Sequence, residues 1–155
     1  MCARYPDAQL QIAGDGEDQA RLHKISEQLQ VGENVEFLGF VNDIRSVYLA
    51  NDCLVHLSGI ESFGRVVVEA SLCGLPVVVP QSAGTGELVI NGHTGLTFTP
   101  NDLSDCVRAL EQAYHLNEND YVRLAAAGQQ RAITIFNPER LAEEYVGLAN
   151  SILRR

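Results

Sequence analysis

Ten consecutive residues carry the densest chemistry in this chain: Glu61-Ser62-Phe63-Gly64-Arg65-Val66-Val67-Val68-Glu69-Ala70. Two carboxylates eight positions apart bracket a Phe-Gly turn that follows an apolar run and opens a helix. A turn of that kind delivers one acid from the loop and the second from the helix it begins. At about 1.5 Å of rise per residue, Glu69 falls roughly 8 Å along the axis from Gly64. Between the acids lie the first backbone N–H groups of the helix, which lack intrahelical partners and favour an anion such as phosphate. Acid, phosphate cradle, acid is a receptor for a sugar, a diphosphate and a ribose in line.

Positioning such groups requires a rigid frame, and the pattern around them supplies one. Apolar, β-branched runs alternate with amphipathic stretches, the signature of β-α repeats on a parallel sheet. Strands are predicted at residues 10–13, 35–38, 53–57, 76–79 and 96–98. Helices are predicted at 18–30, 43–50, 65–72, 86–90, 103–116, 120–136 and 138–153. Asn137-Pro138 reads as a cap followed by proline at the first helical position, and Asn101 or Asp102 caps the helix after Pro100. Leu103, Val107, Leu110 and Tyr114 fall at three- and four-residue steps, as a core-facing stripe would. Ala13-Gly14-Asp15-Gly16-Glu17 and Ala83-Gly84-Thr85-Gly86-Glu87 share the form A-G-x-G-E after an apolar strand. Both are expected as strand-to-helix turns at the carboxyl edge of the sheet, where open α/β domains bind ligands.

Composition narrows the class. At 155 residues the length prior gives one domain, and 46% hydrophobic with 20% charged residues is ordinary for a globular protein. No apolar run approaches the roughly 20 residues that span a bilayer, and no signal peptide is evident at the start. A net charge of -9 argues against binding nucleic acid or docking on acidic lipid through these residues. Cys2, Cys53, Cys73 and Cys106 have no C-x-x-C spacing, so reduced buried thiols and a reducing, cytoplasmic setting are expected. No group of carboxylates and histidines has metal-ligand spacing: His56 reads as a core histidine in a strand, and His23, His93 and His115 are scattered. No metal and no cofactor are expected.

The E-x7-E run resembles the signature of retaining, nucleotide-sugar-dependent glycosyltransferases of the GT-B architecture, and the likeness extends beyond it. Leu10 to Gly16, Val35 to Val41, Gly74-Leu75-Pro76-Val77-Val78-Val79, Gly84-Thr85-Gly86-Glu87 and Asn91 to Leu96 follow that family's order and spacing. The resemblance covers about residues 8 to 115. It implies an α/β, Rossmann-like parallel sheet with helices on both faces and a helical tail, the C-terminal half of a GT-B fold. Residues 1–155 would then be a single donor-binding domain, lacking its first β-α unit and the N-terminal acceptor domain. In the family that first unit carries an Arg and a Lys that grip the donor diphosphate.

By resemblance, Glu61 is the catalytic candidate, hydrogen-bonding hydroxyls of a transferred hexose-type sugar. Glu69 would hold the ribose of a nucleotide-diphospho-sugar, the donor substrate. Gly64 brings backbone close to the ligand, with Phe63 and Val66 beside it. Arg65 is either a phosphate partner or a solvated first-turn side chain. Gly14 and Gly16 form the family's turn near the donor, although tight-turn geometry alone also explains glycine there. Val41, next to Phe40, lies where the family's loop meets the nucleobase through backbone atoms. Backbone N–H groups near Gly84–Gly86 would meet the diphosphate, and Gly84, Thr85 and Glu87 would lie near the donor, yet a half capping box from Gly84 explains Glu87 without a ligand. Glu69 is expected in a buried-looking turn, since valines precede it and alanine follows. Two clamps of this kind differ from the acid and nucleophile of a glycoside hydrolase. The alternatives are a non-catalytic nucleotide-sugar module, a degenerate fragment, or a GT-B epimerase. A phosphorylase would need its cofactor lysine, and Lys24, the one lysine, sits in an early amphipathic helix.

Overall fold

The computed structural model of the chain describes residues 4–59 and 63–153. It divides into two compact units, Met1–Val47 and Tyr48–Arg155. The architecture is α/β, with every strand pair parallel.

In the first unit, β1 (Leu10–Ala13) and β2 (Val35–Gly39) pair with Leu10 opposite Val35 and Ile12 opposite Phe37. The register shifts after Ile12, which sets Ala13 opposite Gly39. Parallel strands need a crossover, and α1 (Gln19–Gln28) with a 3-10 turn (Gly32–Asn34) provides it. The sequence predicts a helix to residue 30. Instead Gln30 turns left-handed at φ 55°, and the N–H of Val31 returns to the Ser26 carbonyl at 3.0 Å. That is a Schellman-type stop without the usual glycine. The His23 ring stacks on Phe37 with centroids 3.7 Å apart, which seats α1 on β2. The Asn34 amide donates to the carbonyls of Pro6 and Ala8 at 2.9 and 3.0 Å, anchoring the segment that enters β1. A short helix, α2 (Ile44–Leu49), ends in the second unit.

The second unit holds a sheet in the order β3-β4-β5, formed by Leu54–Val55, Val77–Pro80 and Leu96–Phe98. Val55 lies opposite Val78, and Val78 opposite Leu96. The strand expected over 53–57 is only two residues long, although the N–H of His56 still reaches the Val78 carbonyl at 2.9 Å. Every residue of β4 is buried. Successive strand side chains point to opposite faces, so both faces of this central strand are covered. On one face Val78 packs with Leu96, Phe98, Cys106, Ala109 and Leu124 in the principal core cluster. On the other, the Gly95 Cα approaches Val77 and Val89 so closely that a Cβ there would sit 2.7 Å from both side chains.

Among the described residues five helices complete the unit: α3 (Arg65–Leu72), α4 (Ala83–Leu88), α5 (Leu103–Tyr114), α6 (Glu118–Ile135) and α7 (Pro138–Leu153). The core stripe of α5 matches the expected one at Leu110 and departs from it at both ends. Leu103 is 79% exposed and Tyr114 46%, whereas Cys106, Ala109, Leu110 and Ala113 face the cluster. Small residues on that face let α5 lie close to β4 and β5, and the larger side chains are displaced to its margins. Asn137 caps α7 as expected, accepting from the N–H groups of Glu139 and Arg140 at 2.9 and 3.1 Å. Among the described residues no helix is long and apolar enough to cross a membrane. Cys53, Cys73 and Cys106 are free thiols, and only Cys106 is fully buried.

The junction of β5 and α5 is held by charge. Asp102 caps the helix, accepting from the Asp105 N–H at 3.0 Å. The Asp105 carboxylate takes the Thr99 N–H at 2.7 Å, the Thr99 hydroxyl at 2.9 Å and the Arg108 guanidinium at 2.6 Å. The Arg108 hydrogen bond, followed by those from Thr99, lowers the Asp105 carboxyl to about 2 from an ordinary 3.8. A depressed acid contributes stability above its unfolded value that is lost as pH falls through the folded one. Thermal melts should therefore show Asp105→Asn less stable than wild type above about pH 4, with the gap closing as pH approaches 2. A gap that stayed constant over that range would contradict this role.

Candidate functional site

The turn into α3 is fixed by one backbone position. Gly64 caps the helix at φ 70° and ψ 48°, the left-handed region that a side chain strains to enter. A Cβ there would meet the Thr85 methyl at 3.2 Å, Leu88 at 3.4 Å and Val67 at 3.6 Å. The first turn of α4 thus packs directly on the amino end of α3, and Gly64 is buried beneath that contact. The Gly64 carbonyl takes the Val67 N–H at 2.9 Å. The N–H groups of Gly64, Arg65 and Val66 lie ahead of the helical ladder, where an anion is favoured.

Around that turn the expected residues fall as follows. Glu61 lies outside the described residues. Phe63, 47% exposed, meets the Phe136 ring edge-on with centroids 5.1 Å apart, so packing against α6 helps to orient the turn. Arg65 and Val66 are exposed on the first turn of α3. Glu69 is exposed too, which corrects the expectation of a buried turn. The helix turns Val67, Val68 and Ala70 inward and leaves the acid on the outer face. Its Oε2 nevertheless accepts the Tyr48 hydroxyl at 3.2 Å. Tyr48 is itself 6% exposed. Burial first, and then the Glu69 charge, push its phenol up to about 12, so the group remains a donor at neutral pH.

The second glycine motif folds differently from the predicted turn. Helix is expected from residue 86, but α4 starts at Ala83 and takes Gly84, Thr85 and Gly86 into its turns. The Gly86 N–H is committed to the Ser82 carbonyl at 2.7 Å. Thr85 is wholly buried, its hydroxyl donating to the Pro80 carbonyl and lying 3.0 Å from the Ser82 hydroxyl. The Thr85 side chain is therefore not available to a ligand. Gly84 is half-buried and Glu87 exposed. With Ser82 as the cap, the half capping box from Gly84 to Glu87 does not form.

Arg131 on α6 closes the other end of α4, donating to the carbonyls of Glu87 and Leu88 at 2.6 and 2.7 Å. Tyr48 and Arg131 were missed from sequence because each acts on a group 21 or more positions away. No local pattern signals such contacts.

In the first unit, the Gly14 N–H donates to the Gly39 carbonyl at 2.7 Å, and Gly14 adopts φ 125°. Open space lies over both Gly14 and Gly16 where a Cβ would stand. Val41 is half-buried, while the neighbouring Phe40 is 72% exposed. An open cleft of about 320 Å³, lined by Ile90, His93, Arg131 and Ile135 among others, lies elsewhere in the second unit. It borders the segment leading into β5, at the amino edge of the sheet. The α3 turn follows β3 at the carboxyl edge.

A parallel α/β sheet with helix amino ends gathered at its carboxyl edge defines an architecture that binds phosphate-bearing ligands. A family model for the glycosyl transferases group 1 matches residues 1–131. The lipopolysaccharide core biosynthesis glycosyltransferase of Rhizobium meliloti is 34% identical over 149 residues, covering 96% of this chain and 44% of that protein. The N-acetyl-alpha-D-glucosaminyl L-malate synthase of Bacillus anthracis is 26% identical over 150 residues, covering 96% and 39%. Crystallised HepE of Anabaena, in complex with UDP, superposes with a TM-score of 0.82 at 30% identity, over 92% of this chain and 42% of that one. TarM of S. aureus reaches 0.89 at 18% identity, over 95% and 30%, which is a likeness of fold. The chain belongs to the group 1 glycosyltransferases. It spans less than half the length of these relatives.

Gly64→Ala tests the turn. The left-handed conformation alone should cost about 1–2 kcal/mol, and the contact with Thr85 adds to it. Urea unfolding should show a lower midpoint than wild type. An unchanged midpoint would mean that the turn tolerates a side chain.

Proposed function

We propose that these residues form the donor-binding half of a retaining glycosyltransferase that moves a hexose-type sugar from a nucleotide-diphospho-sugar to an acceptor hydroxyl. The observation that carries the reading is the packing of Thr85 on Gly64, which sets two helix amino ends side by side. The donor diphosphate rests against the N–H groups of Gly64, Arg65 and Val66, with the half-buried Gly84 beside them. Preorganised donors stabilise charge building on a departing diphosphate, by a few kcal/mol each. The exposed Arg65 guanidinium is within reach of the same charge. Glu69 takes the ribose hydroxyls. Gly14, Gly16 and Val41 belong to the donor-binding set that the family resemblance implies.

Glu61 holds the hydroxyls of the sugar, so that the acceptor attacks from the face the leaving group departs, with retention of configuration. It acts as a clamp and forms no bond to the sugar. HepE of Anabaena is crystallised in complex with UDP and with UDP-glucose, which supports a uridine diphosphate donor for this chain. An N-terminal acceptor-binding domain, as the greater length of the relatives suggests, completes the enzyme. The free thiols fit a cytoplasmic enzyme working on nucleotide sugars. No metal and no separate cofactor are required by this arrangement.

A thermal-shift panel of UDP, GDP and ADP sugars should single out one donor base. At 100 times its dissociation constant that ligand adds about 2.7 kcal/mol of stability. In the enzyme complete with its acceptor half, Glu61→Gln should cut transfer about 100-fold or more while nucleotide affinity stays nearly unchanged. Full turnover by the variant would remove the clamp role, and a donor that binds without any transfer would favour a non-catalytic module.

A further inference from the structure

We infer that Tyr48 is a positioning residue for the nucleotide: its phenol fixes the Glu69 carboxylate so that one oxygen is held and the other is presented to the ribose diol. This rests on the ribose-binding role of Glu69 proposed above and deepens it. Glu69 stands on the exposed face of α3, where a free glutamate samples many rotamers. Ordering such a side chain on binding opposes affinity. Tyr48 removes that freedom beforehand. It comes from α2, 21 positions away, with its ring buried and its hydroxyl 3.2 Å from Glu69 Oε2.

The chemistry suits the task. A carboxylate offers about four lone-pair sites on two oxygens, and a phenol donor occupies one of them. The remaining sites can accept both hydroxyls of a ribose. A phenol that stays protonated donates to the acid and does not draw it away from the diol. At 3.2 Å the contact is at the long end for an O–H···O bond. Its consequence is therefore orientation of the carboxylate more than stability of the fold.

The test uses whichever of UDP, GDP or ADP the chain binds most tightly, with the 2′,3′-dideoxy form of the same nucleotide. Calorimetry on wild type, Tyr48→Phe, Glu69→Ala and the double variant gives eight affinities. Wild type should prefer the ribonucleotide, and Glu69→Ala should abolish that preference. Tyr48→Phe should weaken the ribonucleotide about 5-fold, leave the dideoxy ligand unchanged, and have no further effect in the Glu69→Ala background. Its melting temperature should stay within a few degrees of wild type, since a ring of the same shape remains.

Equal loss of both ligands, or no loss of either, would overturn the positioning role. A ribose preference that survives Glu69→Ala would instead overturn the Glu69 assignment, and the inference with it. Binding of none of the three diphosphates would do the same.

Discussion

A bare Cα carries the site. Gly64 turns the chain into α3 through the left-handed region, and the missing side chain leaves room for the Thr85 methyl and Leu88. Those two contacts draw α4 against the start of α3. Neither helix is long, with eight residues in α3 and six in α4, so each brings only a modest dipole on its own. Their value lies in the amino ends being adjacent and rigid. N–H groups fixed before a ligand arrives need no reorganisation when negative charge develops. The turn is braced from outside as well, by Phe136 against Phe63 and by Arg131 at the far end of α4.

That arrangement depends on a strand with no solvent-facing side. β4 is buried throughout, and its end, Pro80, offers the carbonyl that receives the Thr85 hydroxyl. The same residue pair therefore links the core to the site. Val78 belongs to the main cluster, while Val77 and Val79 are buried on the opposite face. A shift of one residue in this strand would exchange the two faces and move Thr85 away from Gly64. Rigidity at the carboxyl edge is thus inherited from packing at the centre of the sheet.

Much of this was legible in the sequence, and the exceptions have physical causes. Residues 10–13, 65–72, 96–98 and 138–153 fold as the elements expected, because each has clear periodicity and a clear boundary residue. The pattern places Gly84 in a turn ahead of a helix that starts at Gly86, yet the Ser82 carbonyl and the enclosed Thr85 draw Gly84 into helix as well. The stripe on α5 was misplaced at both ends because large apolar residues mark a helix face only when there is room for them. Here Cys106 and Ala109 take the inner positions and Leu103 faces outward. Gln30 ended α1 early without glycine, which no pattern announces. In the site, the types and spacing of Gly64 and Glu69 pointed to their surroundings. The partners Tyr48 and Arg131 did not, since only the tertiary fold brings them near.

The central claim is that the amino end of α3, set against α4, is where the diphosphate of a nucleotide sugar rests. Amide chemical-shift mapping on titration with the nucleoside diphosphate tests it most directly. The account predicts that the largest changes fall on the N–H groups of Gly64, Arg65 and Val66, with Gly84 next. Changes centred instead on Ile90, His93 and Arg131, with the α3 turn silent, would contradict it.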